Sequence, residues 1–500
     1  MNAKFEKISY EKKAFSLSTS VKVECKTDVP AEGFGVIAVS PSVYGESFSA
    51  KEKKVNFGGK LIVSVVGVNA EGTLSGSECG TAFSDVINDE RVRPDMTVTG
   101  KNEIVKCEPF YGSVISVSVT LNITMDVYET VKKDYLTGGE DIFTDACITG
   151  LTRSTGRFCS DSETEQEFEI GFPVEKALFH TETVGITSVR AGIGTVIVDG
   201  EIHAAVYLLQ KSENGDIVKK NEVFPFRIET ECEGAMPAMA AKSEVSVKNS
   251  RYDIEVDEET GSSKAVLTLT LFACSEAVIK EDALVPTDCF SDKKILNVTT
   301  EEITVPSFNY YNVFEQKFNE RIPVLGEDDE GAKILTTFAS PVIITDKTVE
   351  DEILKCSAVI KATSIIKTAG GVKAYSYEFP AEINEKLSES GDTSVGVYVS
   401  EITARLCSET EIECFGKIKT YVTIKTEEKV KIIAKVEEAG DIPEKTAAIS
   451  VYIPAEGEDL FGLSKRLRVS PEEISKTNPD LEFPLKGTER IVVYRQLKKE

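Results

Sequence analysis

Along most of this chain apolar residues recur at every second position, the spacing of a strand that keeps one face in a core and one in water. Val55-Asn56-Phe57-Gly58-Gly59-Lys60-Leu61-Ile62-Val63-Ser64-Val65-Val66 shows the alternation, reaches a Glu71-Gly72 turn and returns through Phe83. Val196 to Tyr207 repeats it, turns at Asn214-Gly215-Asp216 and returns through Val223-Phe224-Pro225-Phe226. Glu352 to Ala362 repeats it again, turning at Gly370-Gly371 and returning through Tyr375 to Pro380. A further alternating stretch follows each copy: Ser116 to Met125, Ala265 to Phe272 and, more loosely, Lys417 to Ile424. The spacing is about 140 to 155 residues, a domain-sized repeat rather than a solenoid unit. The pattern predicts a mainly β chain of three antiparallel β-rich repeat domains at 5–152, 168–305 and 318–436, the third divergent. Looser composition predicts linkers at Gly150 to Glu167, Pro306 to Glu320 and 437–447.

The periodicity changes after the last linker. Val451-Tyr452-Ile453 reads as a strand, and Asp459 can cap a helix whose Leu460, Leu463 and Leu467 face inward. Ser470-Pro471-Glu472-Glu473 places a capping hydroxyl, a proline at the first helical position and a carboxylate three residues after the cap, and Asn478-Pro479 stops that helix. Ile491-Val492-Val493-Tyr494 closes as a strand antiparallel to the first. Residues 448–496 are thus a small βααβ module.

Composition narrows the function. The chain has 57 basic and 83 acidic residues, a net charge of −26, which repels a polyphosphate and argues against nucleic acid as a partner. Residues 448–500 hold nine of each sign, so the body carries the negative charge. The N-terminal residues mix charges and lack the apolar core of a secretory signal, and no transmembrane segment is apparent. The eleven cysteines are scattered, without a Cys-x-x-Cys pair, and read as reduced thiols in a cytoplasmic chain. There are only two histidines, His180 and His203, the second in an alternating strand where a structural role outweighs a catalytic one, and no zinc spacing occurs. The expectation is no enzyme, no metal and no cofactor.

Two resemblances carry the reading further. Gly457-Glu458-Asp459-Leu460-Phe461, set between a strand and a helix, resembles the opening signature of a LysM domain. Phe57-Gly58-Gly59-Lys60-Leu61, and more fully Val198-Asp199-Gly200-Glu201-Ile202 through Tyr207 with Pro225-Phe226, resemble the SPOCS domain, formerly a domain of unknown function. The third copy departs, with Cys356 where the glycine falls and Ala362 where the tyrosine falls. SPOCS repeats followed by one LysM are the layout of SipL-type spore coat morphogenetic proteins. That resemblance implies sporulation, and a scaffold in the mother-cell cytoplasm, at the forespore surface, whose LysM binds a spore coat basement-layer protein. The alternative is a cell-envelope protein binding peptidoglycan. In LysM modules the ligand groove lies between two loops, which here gives Gly457, Glu458, Asp459 and Leu460 with Asn478, Pro479 and Asp480. Plainer roles for three of these are a turn at Gly457, core at Leu460 and a helix stop at Pro479. Lys465, Arg466 and Arg468 surround the inward Leu467, so at least two must face water, as a basic edge for docking a partner.

Overall fold

A computed structural model describes residues 2–211, 216–256, 263–326, 329, 331–443 and 448–494. The chain is mainly β, with antiparallel strands and two short helices among the described residues. The expected turn at Asn214-Gly215 and the end of the last linker lie outside them.

The first lobe consists of β1 (Asn2–Pro30), β2 (Gly35–Lys51), β3 (Lys54–Val68), β4 (Leu74–Asn88), β5 (Thr97–Tyr111) and β6 (Val114–Glu140). One sheet has the order β2-β3-β4 and the other β1-β6-β5. The odd-numbered residues of β3, among them Val55, Leu61, Val63 and Val65, meet Val117, Leu121, Ile123 and Met125 of β6 in a closed core. Period-two alternation thus places one face of each sheet against the other.

The second lobe comprises β7 (Phe143–Ser154), β8 (Phe158–Glu169), β9 (Val174–Ala191), β10 (Thr195–Gln210), β11 (Ile217–Glu231), β12 (Ala240–Val256) and β13 (Ser263–Phe290). Its sheets run β9-β10-β11 and β12-β13-β7, with β8 also on β13. The third comprises β14 (Lys294–Pro323), β15 (Lys333–Ala339), β16 (Ile343–Glu350), β17 (Ile353–Thr368), β18 (Gly371–Lys386), β19 (Asp392–Leu406) and β20 (Glu411–Asp441). Here β15, β16 and β18 flank β17, and β14-β20-β19 form the facing sheet. The order of pairing matches across the lobes once two breaks are allowed. β7 and β8 together take the place of β1, and β15 and β16 together that of β2, with Pro341, which has no N–H to give a ladder, at the second break.

One of the three expected linkers is strand throughout, another is strand on both sides of residues 155–157, and the third begins as strand. Residues 150–167 lie largely in β7 and β8, the Pro306 region lies inside β14, and Glu437 to Asp441 end β20, paired with β14. Ser, Thr and alternating charge suit a strand with one face in water as well as they suit a loop, and a bulge between Pro306 and Asn309 accommodates the proline.

The third copy also sits in a different register from the one its composition suggested. Bulges interrupt the ladder opposite Gly58 to Lys60, between Asp199 and Gly200, and opposite Ser357 and Ala358. Ala358, not Cys356, is therefore the counterpart of Gly200, and Ile365, not Ala362, stands for Tyr207. A Cβ on Gly200 would overlap the ring of Phe226, its cross-strand neighbour, and Phe83 lies over Gly59 in the same way. In the third lobe Ala358 faces Ala381, so no ring needs that space.

The lobes pack on one another. Val66, Tyr207 and Ile365 share one apolar cluster with Phe179 and Phe338, and Leu136, Ile142, Cys289 and Ile433 share another where the long strands end. Each histidine marks an interface. His180 on β9 meets the buried Glu182 at 2.7 Å, and Glu182 also accepts from Tyr44 of the first lobe at 2.8 Å and from Ser250. Burial alone pushes Glu182 up and His180 down, but their mutual attraction and the hydrogen bonds to Glu182 outweigh it, so the carboxyl lies below its ordinary value and the imidazole above. His203 on β10 contacts Tyr421 of the third lobe at 2.7 Å, while its Nδ1 is buried without a hydrogen-bond partner among the described residues. Burial, reinforced by the nearby Lys419, pushes this imidazole down.

The expectation of eleven reduced thiols is corrected at one place: Cys159 and Cys274 form a disulfide. They are direct partners in the β8/β13 ladder, 4.1 Å apart at Cα, an adjacency that residues 115 positions apart do not announce in sequence.

Candidate functional site between the C-terminal module and the body

The last described residues form β21 (Ile449–Tyr452), α1 (Leu460–Leu467), α2 (Pro471–Thr477) and β22 (Ile491–Tyr494). β21 and β22 are antiparallel, and Leu463, Leu467, Ile474, Leu485, Ile491 and Val493 make a small core, with Leu460 and Leu481 packed against it. Both caps follow from side-chain chemistry. Asp459 accepts from the Gly462 N–H at 2.6 Å, and Ser470 accepts from the Glu473 N–H at 3.2 Å with Pro471 next to it. Arg468 ends α1 in the left-handed region at φ 56.

The groove candidates divide by what their atoms already do. Gly457, at φ +80, forms the turn and donates to the Leu485 carbonyl at 2.8 Å. The Asn478 side chain donates to the carbonyls of Ile474 and Val492 and accepts from the Val492 N–H at 2.8 Å, tying α2 to β22. Its polar atoms satisfy backbone groups and leave little for a ligand. Glu458 accepts from Arg466 at 2.8 and 2.9 Å and from the Ala455 N–H at 3.0 Å. The Arg466 guanidinium holds its carboxyl below the ordinary value. Leu460 is half-buried, and Pro479 and Asp480 are exposed.

The basic edge is largely engaged within the molecule. Lys465 forms an ion pair with Asp288 of β13, and Arg466 is paired with Glu458 in its own module. Phe461 sits edge-on to Phe290, ring centroids 5.4 Å apart, and Phe290 stacks in turn on Phe143. The module therefore lies on the ends of β7 and β13. Its clasp is light: a half-exposed ion pair contributes about 0–1 kcal/mol and an edge-to-face aromatic pair about 0.5–1.5 kcal/mol beyond its buried area.

Beside the clasp is a cleft of about 540 Å³ whose lining includes Asp145, Asp288, Cys289, Leu296, Val298, Thr300, Lys431, Lys465 and Arg468. Asp145 and Asp288 are direct cross-strand neighbours on β7 and β13, a like-charge pair that costs stability unless a cation answers it, as Lys465 does. Burial pushes the Cys289 thiol up to about 11, which keeps it protonated at neutral pH. Sequence reasoning identified the module's residues but missed Asp145, Asp288, Phe290 and Lys431, which stand in alternating strands with no local signal. No helix among the described residues is long and apolar enough to cross a membrane.

No protein-family model matches the chain, and no curated protein or solved structure matches it.

Proposed function

We propose that this chain is a non-enzymatic scaffold of endospore coat assembly, built from three SPOCS-like lobes and a LysM-like module. It acts in the mother-cell cytoplasm at the forespore surface. The observation that carries the reading is the layout: one order of strand pairing used three times, then a capped βααβ module. The lobes bury both sheets against each other and pack lobe on lobe, which suits a rigid spacer. The module is held by a light clasp, which suits a part that engages a second protein, here a component of the coat basement layer.

A second reading, binding of peptidoglycan through the module, draws on the exposure of Gly457, Asp459, Pro479 and Asp480. Against it, Asn478 and Glu458 spend their polar groups on the module itself. A fluorescent fusion followed through growth and sporulation, paired with sedimentation of the purified chain with isolated peptidoglycan, separates the two. The scaffold reading expects a ring at the forespore surface and no sedimentation. Sedimentation with peptidoglycan and diffuse fluorescence in sporulating cells would replace it with the second reading.

A further inference from the structure

We propose that the cleft between the C-terminal module and the body is a binding site for an organic anion bearing a carboxylate next to an apolar group. Three observations converge. First, at about 540 Å³ the cleft has the size of small-molecule sites, which run about 300–1,000 Å³. Second, three cations line it, Lys431, Lys465 and Arg468, against the two carboxylates Asp145 and Asp288. Lys465 and Asp288 satisfy each other. Lys431 and Arg468 come from opposite sides, β20 and the end of α1, and their side chains have no ion-pair or hydrogen-bond partner among the described residues. A locally positive concavity in a chain of net charge −26 concentrates anions where the rest of the surface repels them. Third, Leu296 and Val298 of β14 provide an apolar wall, which a bare inorganic anion would leave unused.

The two free cations fix the carboxylate end. A guanidinium presents a planar fork that matches a carboxylate in two parallel hydrogen bonds, and an ammonium adds a point charge. Asp145, whose carboxylate has no cation on it among the described residues, disfavours a second negative group nearby. The ligand is therefore a monocarboxylate with an aliphatic body. Two sources share that chemistry, a free branched carboxylic acid and the C-terminus of a protein ending in an aliphatic residue. The site is independent of the coat-scaffold reading, since it rests on the cleft alone. The module supplies one wall of the cleft, so occupancy and module docking stabilise each other.

The test is isothermal titration calorimetry of the full chain at low salt with three probes: 4-methylpentanoate, N-acetyl-glycyl-leucine with a free carboxylate, and the corresponding amide. Saturable one-to-one binding of at least one carboxylate probe, and none of the amide, is expected. Binding of 4-methylpentanoate alone identifies the free acid as the source, and binding of the dipeptide alone identifies a protein C-terminus. Arg468→Gln with Lys431→Gln should weaken binding at least tenfold, while Lys26→Gln, at the far end of β1 in the first lobe, should leave it unchanged. Thr300 is exposed on β14, so Thr300→Glu should fold normally and place an internal carboxylate on the cations. That variant should abolish binding, and it keeps the test decisive if the double variant does not fold. Failure of both carboxylates to saturate, binding of the amide as tight as that of the acid, or full affinity in Thr300→Glu overturns the proposal.

Discussion

His180 and His203 are the only histidines in the chain; each lies on a strand of the second lobe facing a neighbouring lobe, yet the two interfaces treat the imidazole in opposite ways. At the first-to-second lobe contact His180 touches a buried carboxylate, Glu182, which Tyr44 and Ser250 also satisfy, and its charged form is favoured. At the second-to-third contact His203 meets a phenol, and the carboxylate within reach, Glu201 at 3.4 Å, is already held by Lys419 and Tyr421. Its proton is disfavoured. Burial is common to both, so the difference lies in whether the neighbouring negative charge is free to answer the ring. One contact is a charge-assisted clamp and the other is a packed neutral contact.

The largest test of this contrast removes the carboxylate. Glu182→Ala leaves the Tyr44 and Ser250 hydroxyls and the His180 ring without their shared partner in a buried site, a loss of about 1–3 kcal/mol for each group left unsatisfied that chemical denaturation should register and that should accompany loosening of the first lobe from the second. The ring contact at the second interface is held instead by shape. A Cβ on Gly185 would overlap the Tyr421 ring, so Gly185→Ala should cost about 1–3 kcal/mol by overpacking; an unchanged melting temperature would show that the ring has room to move.

Proton titration separates the two contacts more finely. An unfolded histidine titrates near 6.5. His180, raised in the fold, contributes stability that is fully present below about 6.5 and lost as pH rises through its folded value. His203, lowered, contributes stability present above about 6.5 and lost as pH falls through its folded value. Acidification from pH 8 to pH 5 should therefore tighten the first contact and then weaken the second. Two histidines give two ring resonances, and nuclear magnetic resonance titration should place their midpoints on opposite sides of 6.5. Coincident midpoints would break the comparison. The smallest effect is expected from His203→Gln. It keeps a polar tip for Tyr421, whose hydroxyl also reaches Glu201 at 3.2 Å, so thermal melting should show a loss below about 1 kcal/mol.

The sequence made short-range features plain and long-range ones obscure. Alternation at Val55 to Val66 identified β3, and the Asp459 and Ser470-Pro471 signals identified both helix starts, because each depends on neighbours a few positions away. The partnership of Lys4 with Gly138, of Cys159 with Cys274 and of Lys465 with Asp288 joins residues 115 to 177 positions apart, which no local pattern announces. The expected linkers failed for the same reason: a Ser- and Thr-rich edge strand differs from a loop only in having a distant partner. Of the expected docking edge, Lys465 and Arg466 are satisfied within the chain. Whether an exposed cation meets a partner or its own body is a tertiary fact.

The pairing of each lobe's opening strand with its closing strand has a mechanical consequence. Asn2 lies opposite Glu140, Phe143 opposite Phe290 and Lys294 opposite Asp441, so the chain enters and leaves each lobe at one point. Tension on the chain there pulls neighbouring ladder bonds open one after another instead of shearing them together, and under such a load each lobe peels like a zipper from its neck. Each lobe thus yields most readily to stretching along its own chain, and the C-terminal module, seated beside the second neck through Phe461 and Phe290, covers one of the points where peeling would begin.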